Sequence, residues 1–175
     1  GTGKSVFYLP VNEVQCITES LDKRFIAVGT SHGGYLIDKR EPLHPRRFFY
    51  PEQYPGKDIN LFVNSMSFQD SRHIWIGTDG GGLYDYDLLT KKFKRYTNQD
   101  ALPSNTVYGL IKGINGNLWI STDKGLAFMK QGKIVNLNIF KGMEREYNRM
   151  AVACTSDGRV LFGSNDGVVA LTPMF

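Results

Sequence analysis

Four short segments of this chain repeat one pattern. They are Phe25-Ile-Ala-Val-Gly-Thr30, Ile74-Trp-Ile-Gly-Thr78, Leu118-Trp-Ile-Ser-Thr122 and Val160-Leu-Phe-Gly-Ser164. The aligned small residues are Gly29, Gly77, Ser121 and Gly163, at spacings of 48, 44 and 42. A sequence that repeats every 40–50 residues or so folds as copies of one supersecondary unit, each unable to bury its apolar face alone.

The surroundings of each segment repeat as well. A polar turn follows: Ser31-His32-Gly33-Gly34, Asp79-Gly80-Gly81-Gly82, Asp123-Lys124-Gly125 or Asn165-Asp166-Gly167. A second apolar run comes next, beginning at Tyr35, Leu83, Leu126 and Val168. Glycine and Asx residues between β-rich runs are hairpin signals, because tight turns need positive φ. Upstream turns at Asp22-Lys23, Asp70-Ser71, Asn115-Gly116 and Asp157-Gly158 imply a preceding strand in every unit. Arg47–Tyr50, Phe93–Tyr96 and Ile134–Leu137 supply a fourth strand in the first three units, and a matching strand, Val6–Leu9, opens the chain. The reading is an all-β chain, a β-propeller of about four blades of four antiparallel strands. The blades span roughly 11–50, 59–97, 104–138 and 147–172, plus an N-terminal strand at 5–9. Three closures stay open: the N-terminal strand completes the fourth blade, the four blades are an arc of a larger ring, or two chains join into an eight-bladed ring. No stretch carries a helical period.

Composition narrows function mainly by exclusion. The 175 residues are 41% apolar and 22% charged, with a net charge of +4. Basic residues come in small groups (Lys39-Arg40, Arg46-Arg47, Lys91-Lys92 with Lys94-Arg95) that suit exposed strand edges, where charge blocks unwanted pairing. No nucleic-acid partner is expected. No run reaches the roughly 18 apolar residues of a membrane helix, and no membrane contact is expected of this segment. No signal peptide opens the chain, and its abrupt start suits a piece of something longer. Cys16 and Cys154 are far apart and outside metal-ligand spacing, so two buried thiols are expected.

Motifs for chemistry are weak. Gly1-Thr-Gly-Lys-Ser5 looks like the end of a phosphate-binding loop, but the sequence has no glycine at the needed spacing before it and a strand follows. Asp79–Gly82 reads as a hairpin turn. Trp75 and Trp119 hold one strand position in two blades, with Ala27 and Leu161 in the others, which points to core between sheets more than to a sugar-stacking platform. His32, His44 and His73 lie in unrelated contexts, so neither a zinc site nor a catalytic histidine is expected. Asp85 and Asp87 alternate with Tyr84 and Tyr86 and are expected on the outer face of a strand. Asn12, Asn105 and Asn148 each fall two residues before the apolar start of a first strand (Val14, Val107, Met150), and Asn60 sits one residue out of that register. Asparagine bonds readily to nearby backbone and suits such a turn. No catalytic residue, metal or cofactor is expected, and the chain is not read as an enzyme.

Leu102-Pro-Ser-Asn-Thr-Val107, then Asn115-Gly-Asn-Leu-Trp-Ile-Ser-Thr-Asp-Lys-Gly-Leu126, resembles the two-component regulator propeller repeat, as does Ile74-Trp-Ile-Gly-Thr-Asp-Gly-Gly-Gly-Leu83. The end, Val160–Pro173, is similar to a last blade of such regions. The resemblance implies the periplasmic sensor part of a Bacteroides-type hybrid two-component histidine kinase, where an extracellular glycan fragment is sensed. The family's propellers usually have seven blades. This chain has about four, and it lacks the sandwich, membrane helix and kinase motifs that follow in the family.

The leading expectation is therefore a signal-input module with an oligosaccharide ligand. The alternative is an interaction or dimerisation scaffold, such as a homodimer, without a small ligand. An enzyme ranks third. On the strand order above, the blade-to-blade loops and the turns between second and third strands share one end of the ring. That end carries Asn12, His32, Asn60, Asp79, Asn105, Asp123, Asn148 and Asp166, the expected ligand-binding residues, since loops on a rigid scaffold are where function usually sits.

Overall fold

The computed structural model describes residues 8–172. Fifteen strands form four antiparallel sheets among them. Blade 1 comprises β1 (Val14–Glu19), β2 (Phe25–Thr30), β3 (Gly33–Asp38) and β4 (Arg46–Phe48). Blade 2 comprises β5 (Val63–Phe68), β6 (His73–Thr78), β7 (Leu83–Asp87) and β8 (Phe93–Tyr96). Blade 3 follows with β9 (Val107–Lys112), β10 (Leu118–Thr122), β11 (Gly125–Lys130) and β12 (Lys133–Asn136). Blade 4 has β13 (Tyr147–Cys154), β14 (Val160–Ser164) and β15 (Gly167–Leu171). Each sheet keeps sequence order, as successive hairpins require. Short 3-10 turns occur at Pro51–Gln53, Asn98–Asp100 and Leu137–Ile139.

The cores lie between the blades. Blade 1 meets blade 2 through Phe48, Phe49, Met66, Ile76, Tyr84 and Tyr86. Blade 2 meets blade 3 through Trp75, Leu83, Val107, Leu110 and Ile120. Blade 3 meets blade 4 through Trp119, Leu126, Phe128, Tyr147 and Phe162. The two tryptophans are thus core residues, held by neighbouring sheets.

The repeated small residue has a direct steric cause. A Cβ on Gly29 would stand 2.6 Å from Val63 Cγ1, and one on Gly77 2.6 Å from Val107 Cγ1. The first strand of each following blade lays a valine across that position, so a larger residue there would push the blades apart. In blade 3 the small partner moves across the strand pair: Ser121 is buried opposite Gly109, whose own Cβ would meet Ser121 Oγ and Val152 Cγ1, both at 2.6 Å.

Three such interfaces join four blades, and among the described residues no apolar cluster links blade 4 back to blade 1. The inner strands β1, β5, β9 and β13 follow one another as an arc. Leu83 and Leu126 are fully buried under the next blade, while Val168, at the same register position of blade 4, is 71% exposed. At the other end, Val14 and Ile17 are 43% and 64% exposed, whereas their counterparts Val63, Met66, Val107 and Leu110 are buried.

Four expectations need correction or placement. Tyr8 and Leu9 are not in a strand, and the rest of the expected N-terminal strand lies outside the described residues. Cys154, the last residue of β13, is exposed; Cys16 is buried beneath blade 2, and burial pushes its thiol up to about 11. Asp85 does not face open solvent. It sits opposite Trp75 on the side that meets blade 3, one carboxylate oxygen is buried without a hydrogen-bond partner, and this burial raises its pKa. Finally, β13 starts at Tyr147, so Asn148 lies inside the strand and not in the turn before Met150.

Candidate functional site

One hydroxyl per blade builds the loop end. Thr30, Thr78 and Thr122 Oγ1 each donate to the carbonyl of Gly33, Gly82 and Gly125 at 2.8 Å, and Ser164 Oγ donates to Gly167 O at 2.9 Å. The three threonines are buried, so these bonds replace water that the hydroxyls and carbonyls cannot reach. The bond closes the turn between second and third strands and aims the intervening residues outward. Gly82 is needed within that turn: its φ is +85°, and a Cβ would stand 2.3 Å from Tyr96 O.

Backbone bonds then stitch one blade to the next. Gly33 N–H donates to Leu61 O and Gly82 N–H to Asn105 O, both at 2.8 Å, and Asp79 forms an isolated bridge with Thr106. Three of the expected site residues, Asn60, Asp79 and Asn105, take part in this framework. The Asn105 side-chain carbonyl accepts from Asn98 N at 2.8 Å. Asn60 accepts from Phe62 N at 3.0 Å and donates to Asp79 O.

The remaining expected residues fall into separate places. Asn12 and His32 border one open basin of about 670 Å³ on blade 1, with Glu13, Tyr35, Arg47 and Glu52. His32 Nε2 lies 2.9 Å from Glu52 Oε1, and Arg47 Nη2 lies 3.5 Å from the other oxygen of Glu52. The His32 hydrogen bond, more than the Arg47 charge, holds the Glu52 carboxyl below its usual range. Arg47 also stacks over Tyr50, with 4.0 Å from Cζ to the ring centroid. Ser31 Oγ donates to Glu13. The basin thus joins a half-buried tyrosine ring to carboxylate, guanidinium, imidazole and amide groups.

A second group gathers at the inner rim, where bulges in the first strands turn side chains toward the axis. The pairings of β1, β5 and β9 each skip one residue, Gln15, Asn64 and Tyr108. In β13 the irregularity is larger and runs between Tyr147 and Val152. It presents Asn148 and Arg149 to solvent. The Arg149 guanidinium lies 5.3 Å from the Tyr108 ring centroid and 5.7 Å from that of Phe62, and 3.6 Å from Asp79. Residues from three blades meet here.

Asp123 and Asp166 join neither group. One Asp123 oxygen is buried without a hydrogen-bond partner. Asp166 accepts from Ser164 Oγ at 2.7 Å and from Arg145 at 2.6 Å, and these bonds hold its carboxyl below the usual range. Tyr35, Arg47, Glu52, Phe62, Tyr108 and Arg149 were not among the expected residues. They do not recur from blade to blade, so a search for repeats passes over them. One signal did exist for Arg149: the interval Tyr147–Gly163 is two residues longer than Val63–Gly77 and Val107–Ser121. Among the described residues no group of three or more His, Cys, Asp or Glu side chains could hold a metal ion. No helix among them is long and apolar enough to cross a membrane.

Residues 101–124 match the family model described as Two component regulator propeller. Comparison with curated proteins gives no match. Among solved structures, the chain is similar to the extracellular domain of the hybrid two component system BT3049 from B. thetaiotaomicron, with 22% identity and a TM-score of 0.77. The likeness covers 94% of this chain and 21% of that one. The extracellular domain of the hybrid two component system BT4673 from the same organism gives 22% identity and a TM-score of 0.68, covering 93% of this chain and 22% of that one. Virginiamycin B lyase from Staphylococcus aureus shares the fold at 14% identity and a TM-score of 0.66, with 95% of this chain and 58% of the lyase covered. The chain spans about a fifth of the length of the two extracellular domains. Residues 101–124 thus match a two-component regulator propeller repeat, and they sit in a four-bladed arc whose fold is similar to part of the extracellular domains of two-component systems.

Proposed function

We propose that the chain is the extracytoplasmic signal-input part of a two-component sensor and that its loop end binds a glycan fragment. The observation that carries this reading is the blade 1 basin of about 670 Å³, in which an accessible tyrosine ring stands beside paired charged and amide groups. A sugar offers an apolar ring face and a rim of hydroxyls. It is held by a flat aromatic surface with convergent hydrogen-bonding groups around it. The likeness to extracellular two-component domains supports the sensory setting, a periplasmic location and a kinase elsewhere in the parent protein.

Catalysis is no part of this reading. Titratable groups in the basin are already committed to one another: Glu52 to His32 and Arg47, and Glu13 to Ser31. Such pairs are suited to orienting a ligand's hydroxyl groups. The lyase is similar in fold over 95% of this chain, and fold alone does not carry chemistry across.

The test is binding of defined neutral and acidic oligosaccharides, screened on a glycan array and confirmed by calorimetry. Glu52→Ala and Tyr35→Ala should each lower affinity at least tenfold while the protein stays folded. A binder whose affinity neither substitution changes would remove the basin from the account.

A further inference from the structure

One register position of the third strand breaks the repeat. Opposite Ala27, Trp119 and Leu161 stand Leu36, Phe128 and Ala170, all apolar. Opposite Trp75 stands Asp85. In blade 3 the Phe128 ring stacks on Trp119, with centroids 5.0 Å apart and planes at 28°. In blade 2 a carboxylate takes the place of that ring, and a cavity of about 230 Å³ lies between blades 2 and 3. Trp75, Asp85, Tyr96, Asn117, Met129 and Gln131 line it. The cavity belongs to two blades joined by a buried core, at the end of the arc opposite the blade 1 basin.

The carboxylate is isolated where its neighbours are not. Asp70 pairs with His73 at 3.0 Å, and Asp87 with Arg72 at 2.6 Å. Asp85 has no ion pair among the described residues, and one of its oxygens is buried without a hydrogen-bond partner. Lys94 lies opposite Asp85 on β8, yet its ammonium rests over the Tyr96 ring, 4.9 Å from the centroid. A buried acceptor without a partner costs stability. Natural chains break their own local rules mainly at functional sites. The Trp75 and Tyr96 rings stand 6.0 Å apart beside this acceptor. A carboxylate next to aromatic rings is the chemistry that holds an organic ammonium: the oxygens accept its N–H groups, and the ring faces attract its charge and cover its carbon skeleton. A neutral hydroxyl compound brings no charge to either, and an anionic one would be repelled by Asp85. The volume is below the roughly 300 Å³ at which drug-sized sites begin, which limits the occupant to a small molecule.

We propose that the cavity between blades 2 and 3 is a second ligand site, specific for a small primary amine in its ammonium form, with Asp85 as the residue that sets the specificity. This site is separate from the blade 1 basin, and it stands whether or not the loop end takes a glycan.

The experiment is a nitrogen-edited NMR titration of the whole chain near neutral pH, with cyclohexylamine and with its neutral match, cyclohexanol. The amine should shift the Trp75 indole signal and the Asn117 and Gln131 amide signals. It should bind about tenfold more tightly than the alcohol, or better, as one hydrogen bond to a charged group allows. Asp85→Asn keeps the side-chain shape and removes the buried charge, so it should bind the two compounds alike, with the melting temperature confirming that it is folded. No binding of the amine, equal binding of the two compounds by the wild type, a preference for the amine that survives Asp85→Asn, or shifts confined to Glu13 and Glu52 of the blade 1 basin would each overturn the proposal.

Discussion

Leu126 and Val168 hold one register position in consecutive blades, and only one of them is sealed. Leu126 sits under Tyr147 and Phe162 of the next sheet, while Val168 has no sheet over it among the described residues. The same contrast separates Val107 from Val14 at the rear of the blades. A propeller core is therefore a property of pairs of blades. A single blade offers the apolar residues, and its neighbour decides whether they stabilise the fold.

The sharpest way to break this comparison is to truncate both members of the pair. Leu126→Ala should cost about 3 kcal/mol in urea unfolding, because a cavity adds to the lost transfer energy. Val168→Ala should stay within about 0.5 kcal/mol in the monomeric state, as exposed substitutions do. Similar losses at both sites would mean that blade 4 is covered in the free monomer.

The next contrast concerns overpacking. Gly77→Val should destabilise by about 2 kcal/mol, since its Cβ already collides with Val107. Gly163→Ala meets only the Ala151 methyl, at 2.9 Å, and should cost less than about 1 kcal/mol. A smaller effect still is expected at the turn hydroxyls. Thr78→Val leaves the buried Gly82 carbonyl without that donor and should cost about 1–2 kcal/mol, while Ser164→Ala, at an open turn, should cost less than about 0.5 kcal/mol. Chemical unfolding of the two pairs side by side tests both contrasts.

The smallest effect falls on Asp85. Burial raises its carboxyl, so the native state holds that proton more tightly than the unfolded chain does. The resulting stability is complete below the ordinary carboxylate pKa and is lost as pH rises through the raised value. Asp85→Asn should therefore melt about 1–2 °C higher than wild type near neutral pH, after allowing for partial solvent access. The gap should shrink toward about pH 3, where both side chains are neutral.

Much of the arc was legible in the sequence, because a blade is specified locally. Alternating β-rich runs, hairpin glycines and the small residue at Gly29, Gly77 and Gly163 all lie within one repeat and reappear in the next. What could not be read depended on contacts across blades. The burial of Asp85 follows from the neighbouring sheet that lies over it. The loop end was legible as a place, but less so as a set of residues. Recurrence selected Asn105 because every blade needs a stitched connection, and stitching is what it does. Arg149, Phe62 and Tyr108 meet through bulges of unequal size, and unequal features are invisible to a search for repetition.

The central claim is that the oligosaccharide binds the loop end and that the opposite turns stay outside its site. Hydrogen exchange with an array-selected oligosaccharide bound tests it most directly. The account predicts added protection in the segments around Asn12–Glu13, Thr30–His32, Asn60–Phe62 and Arg149, with no change at the opposite-end turns around Asp70–His73, Asn115–Asn117 and Gln131–Gly132. Protection confined to those opposite turns, with the loop end unchanged, would contradict it.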